Sequence, residues 1–175
     1  MIEVKNKGKV YEMKSKLEEI TTKEFSLISD IFEKENYTTI DKYMESFKVL
    51  GIPNDVINAI GSKAFIAIIK SLKWFEKLDG LPRVIEFNGE VIELYEKGEE
   101  YDLPASRMSK IEAALKAGKG VEYVMALILG VEPKDENLKL IGELPASLTA
   151  PYFAWMQVSI VENVNDMLSN EVGGI

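Results

Sequence analysis

The chain has 175 residues, with 29 acidic and 21 basic side chains and a formal charge of −8 at neutral pH. That balance repels nucleic-acid phosphates and anionic lipid surfaces, so neither is an expected partner. Cysteine and histidine are both absent, which excludes disulfides, thiolate catalysis, sulfur- or imidazole-ligated metals and the serine–histidine and cysteine–histidine nucleophile pairs.

The length suits a single domain, 1–175, in which about 70% of the extended chain's surface can be buried. No apolar run near the amino terminus reads as a signal peptide, so the protein is expected to start at Met1. The longest apolar runs, such as Val124 to Leu129, are far too short to span a bilayer. The expected location is the cytoplasm.

Residues 1–16 read as an arm containing a short hairpin: Ile2, Val4, Val10 and Met13 flank a polar stretch with Asn6 and Gly8. Its five lysines against two glutamates suit an acidic partner surface, although lysines also protect a solvated edge strand. The helical body is expected over 21–169. Thr21 with Glu24 is a capping box, and Phe25, Ile28, Ile31 and Phe32 then recur at helical spacing to about Asn36. A second helix follows from Thr39 as cap to a stop at Gly51, then a short one over 55–60 capped by Asn54. A fourth from Ser62 carries the stripe Phe65, Ile68, Ile69, Leu72 and Phe75.

Over 83–95 the period changes to two, around Asn88-Gly89, a dipeptide suited to a type I′ turn. Met108, Ile111 and Leu115 define a helix stopped by Gly118, and Val121 to Leu129 reads as a buried central helix. Residues 131–149 read as an acidic loop with a turn of helix near Leu138 to Ile141. A long helix is expected from Pro151, behind Thr149 as cap, to about Ser169, with 170–175 as a flexible tail. The expectation is a mainly α, single-domain bundle of six or seven helices with an N-terminal hairpin and a central Asn-Gly hairpin.

Gly118-Lys119-Gly120 lacks the spacing of a phosphate-binding loop, because position 113 is alanine and position 120 is glycine. Glu132, Asp135 and Glu136 lack the alternation and central glycine of a calcium loop. Ser62-Lys63 and Ser109-Lys110 stand at predicted helix starts, where capping accounts for the serines. No catalytic, cofactor or metal set emerges, and an enzyme is not expected.

Several short signals carry a resemblance. They are Ile20-Thr21-Thr22-Lys23-Glu24-Phe25, the run Leu50-Gly51-Ile52-Pro53-Asn54-Asp55-Val56, then Leu72-Lys73-Trp74-Phe75 with Pro82, and Ile85-Glu86-Phe87-Asn88-Gly89. In this order they resemble the small proteins that tailed bacteriophages encode near the tape measure gene, many of them grouped as tail assembly chaperones. The resemblance implies a non-catalytic protein that holds the apolar helical segments of the tape measure protein before the tail tube assembles. The alternative is a structural virion component such as a connector or baseplate protein. A small-molecule enzyme ranks third, and a homo-oligomer stays open.

Projected at 100° per residue, Phe153, Met156, Ile160, Val164, Met167 and Leu168 share one core-facing side of the last helix. Trp155 and Val158 fall among polar residues on the other side. They are the expected partner-binding residues, unless the helix is covered on both sides.

Overall fold

A computed structural model of the chain describes residues 1–72, 84–94, 105–154 and 156. The protein is mainly helical, with two small antiparallel hairpins. It divides into two compact units, one formed by Met1–Leu78 with Gly142–Ser147, the other by Asp79–Ile141 with Leu148–Ile175.

The first unit opens with strands β1 (Ile2–Asn6) and β2 (Lys9–Met13), paired from Ile2 opposite Met13 to Asn6 opposite Lys9. The strands run further into the polar stretch than hydropathy suggested, because Lys7 and Gly8 both adopt positive φ (48° and 78°) and close a two-residue turn. Alternation places Val4 and Met13 in the core and Glu3, Lys5 and Glu12 outside.

Helix α1 (Thr22–Glu33) begins at the expected capping box: Thr21 Oγ1 accepts from the Glu24 amide, and the Glu24 carboxylate accepts from the Thr21 amide. Helix α2 (Thr39–Val49) is capped one residue earlier than expected, by Thr38, because Asp41 three residues on completes a second box. Phe32 and Tyr43 join the two helices edge to face, with centroids 5.4 Å apart.

Helix α3 (Asn54–Ala59) starts behind Pro53 as its cap, so Asn54 is its first helical residue. Helix α4 (Ser62–Ser71) starts behind Gly61 and packs Phe65 on Phe47, with centroids 5.3 Å apart. Its expected continuation to Phe75 lies outside the described residues.

In the second unit, β3 (Val84–Phe87) and β4 (Glu90–Glu93) flank Asn88-Gly89, whose φ values of 53° and 77° form the expected turn. Helices α5 (Ala105–Lys116) and α6 (Val121–Leu129) pack on one another. Val124, Met125, Ala126 and Ile128 are fully buried, whereas Tyr123 and Leu127 of the same helix stay half-exposed. The Arg107 guanidinium donates to the Ile128 carbonyl at 3.3 Å, placing positive charge at the carboxyl end of α6, where it complements the helix dipole.

The acidic stretch contains more helix than expected. Helix α7 (Asp135–Glu143) begins behind Pro133, with Asp135 and Glu136 in its first turn, where negative charge is favourable. The last helix, α8, covers residues 146–154 and so starts before Pro151. The Ala146 amide donates to the Ile20 carbonyl at 2.7 Å, which satisfies a helix-start amide without Thr149 as a cap. Residues 157–169 of the expected long helix and the tail 170–175 lie outside the described residues.

Phe47→Ala should cost about 3–5 kcal/mol, as expected for a fully buried aromatic side chain. Ile66→Ala on the outer face of α4 should change stability by no more than about 0.5 kcal/mol, because Ile66 is 52% exposed. Urea unfolding of the two variants checks both values.

Candidate functional site

Trp155 and Val158 lie outside the described residues. Phe153 and Met156, expected on the core-facing side of the same helix, are buried, and so is Tyr152. Among the described residues no three carboxylates come together in an arrangement able to hold a metal ion. Gly118-Lys119-Gly120 joins two helices: Gly118 has φ 63°, and its amide and that of Lys119 donate to the Leu115 and Ala114 carbonyls, while Gly120 leads into α6. The Ser62-Lys63 and Ser109-Lys110 pairs are on helices α4 and α5, solvent-exposed.

Among the described residues two grooves stand out, one in each unit. The first holds about 350 Å³ and runs between β1 and the α3–α4 corner. Its floor comprises Ala64, Ala67, Ile68 and Ser71, one face of α4 at helical spacing. Ala64 and Ala67 are exposed in it.

The facing wall is β1, and no residue of β2 lines the groove. Asn6 and Lys9 flank the two-residue turn and therefore form a hydrogen-bonded pair, so by alternation Glu3 and Lys5 point their backbone N–H and C=O groups away from β2. The groove thus combines an apolar floor with a strand edge that pairs with no other strand among the described residues. Its two charged side chains, Glu3 and Lys5, lie 3.9 Å apart and offset one another.

The hairpin that carries β1 is fastened to the helices electrostatically. Lys14 Nζ donates to both Glu24 oxygens at 2.7 and 2.8 Å, and the Lys14 amide donates to the Leu50 carbonyl at 3.1 Å. Glu19 accepts from the Met1 amino group at 2.6 Å and from the Ser15 amide at 2.8 Å. Those two contacts, the amino group foremost, lower its carboxyl from the usual 4.5 to about 2. At Glu24 partial burial raises the pKa, but the bonds from Lys14 and Thr21 together outweigh it and the net shift is downward.

The second groove, of about 290 Å³, lies between α5 and α6. Lys110, Ala113, Ala114 and Ala117 form one wall, and Tyr123 and Leu127 the other. Lys119 completes it, its Nζ 5.4 Å from the centre of the Tyr123 ring. Sequence reasoning passed over both grooves because alanines carry no chemistry. The available signal was weak: alanines three or four residues apart on α4 and again at the end of α5, where Ala117 follows its last residue.

No family model, curated protein or solved structure gives a significant match to the chain.

Both lowered carboxylates stabilise the folded state above their ordinary pKa, and that contribution is lost as the pH falls through their folded values. Stability should therefore hold above about pH 4.5 and decline toward about pH 2. Replacing Glu19 and Glu24 by glutamine should lower stability at neutral pH and flatten this acid dependence, as read from melting temperature against pH.

Proposed function

We propose that the protein is a non-catalytic assembly factor that holds an apolar segment of a protein partner in the groove between β1 and α4. In the setting implied by the resemblance, it acts as a tail assembly chaperone for the tape measure protein in the cytoplasm of a phage-infected cell. The observation that carries this reading is the exposed alanine face of α4, lying beside a strand edge that is unpaired among the described residues. Small side chains there allow a partner's apolar residues to approach the helix backbone, and burying them supplies about 25 cal/mol per Å² of apolar surface. The absence of histidine and cysteine from the whole chain supports a holding role over a chemical one.

A tape measure fragment is the direct probe. Ala64→Glu with Ala67→Glu puts two carboxylates on the groove floor at exposed positions, where each substitution should shift stability by no more than about 0.5 kcal/mol. Capture of the fragment should weaken about tenfold or more, equivalent to roughly 1.4 kcal/mol. Unchanged capture by a stably folded double variant would defeat this reading. A chaperone should also be missing from purified virions, whereas quantitative presence there would favour a structural component.

A further inference from the structure

We propose that the groove between α5 and α6 is a second docking site, selective for an acidic amphipathic helix presented by a protein partner. Lys110, Ala113 and Ala114 of α5, with Ala117 just past its end, are spaced i, i+3, i+4 and i+7 and form a single ridge, the Ala117 amide still bonding the Ala113 carbonyl. Three of the four end in a methyl group, which lets a guest helix axis come within the roughly 8–10 Å of ordinary helix packing. Tyr123 and Leu127, four residues apart on α6, supply the opposite apolar wall. Leu127 is half-exposed there, although Ile128 and Leu129 beside it are buried.

Charge decides which helix fits. The chain carries −8 overall, yet the charged side chains that line this groove among the described residues are two lysines, Lys110 and Lys119. Neither makes a salt bridge among the described residues, whereas Lys116 on the same helix pairs with Glu112 at 2.6 Å. Lys119 rests over an aromatic ring, a contact that leaves its ammonium able to accept a carboxylate partner. It also directly precedes Gly120, where α6 starts without a side-chain cap, so the partial positive charge of that helix end adds to the lysine's.

The ridge from Lys110 to Ala117 spans about 10 Å along the helix axis, with Lys119 just beyond its end. A complementary guest therefore carries carboxylates about two turns apart, with apolar residues between them. This site shares no residue with the groove of the first unit, so it stands or falls independently of the chaperone reading.

The test uses the full chain and a fluorescently labelled synthetic helix with glutamates about seven residues apart flanking leucine and alanine. Its controls are the same helix with lysines replacing the glutamates and a scrambled peptide of identical composition. Anisotropy should show binding of the acidic helix alone, weakening as salt is added. Lys110→Glu with Lys119→Glu should reduce that binding about tenfold or more and admit the lysine helix instead. Both positions are exposed, so the variant's melting curve should stay close to that of the parent. As a second variant, Ala117→Phe should block the groove for either helix. Absence of binding, equal binding of the scrambled peptide, unchanged affinity in the charge-reversed protein, or preference for a single-stranded oligonucleotide would each overturn the proposal.

Discussion

The fold of the first unit depends on a small knot of hydrogen bonds to backbone carbonyls between segments more than a hundred residues apart. The Thr22 amide and hydroxyl both donate to the Leu144 carbonyl, at 2.7 and 2.9 Å, and the Ala146 amide donates to the Ile20 carbonyl at 2.7 Å. Thr21 and Pro145 form an isolated bridge between them. These bonds occupy groups that the ends of two helices would otherwise leave unpaired, the first amides of α1 and of α8. They lie in a buried setting, since Ile20, Thr22 and Ala146 are all close to fully covered. Thr21 then caps α1 through its side chain while its backbone faces residue 145, so helix start and tertiary closure are set by the same residue.

The architecture downstream follows from that anchorage. Glu24, the partner of Thr21 in the capping box, also receives Lys14, which fixes where β2 ends and thus where β1 lies. The groove beside β1 is in this sense a product of helix capping. Its floor is built mainly from alanine and isoleucine, and the groove between α5 and α6 is similar in having alanines along one wall. Shape and a few charges are what both surfaces offer.

Local signals in the sequence foretold the local structure well. Asn88-Gly89 marked its turn because a type I′ geometry requires two positive φ angles that this dipeptide accepts readily. Thr21 and Glu24 marked their helix because the capping box is complete within four residues. Of helix α7 only a turn near Leu138 to Ile141 was legible, because acidic residues dominate the hydropathy of its start, although that charge favours its first turn. The early start of α8 depends on the Ile20 carbonyl, a partner no window of sequence could supply. The grooves were equally illegible: Ala64 and Ala113 look like helix formers, and only tertiary packing decides that they are exposed.

The excursion of residues 142–147 into the first unit also bears on how the chain is made. That unit is interrupted in the sequence, since about 60 residues of the second unit separate Leu78 from Gly142. At typical synthesis rates the closing segment leaves the ribosome roughly 3–12 s after the rest of its unit. During that interval Ile20 and Thr22 have no Leu144 or Ala146 to bond, and the amino end of α1 relies on its own capping box. Vectorial synthesis therefore completes the amino-terminal unit late, after most of the second unit has emerged.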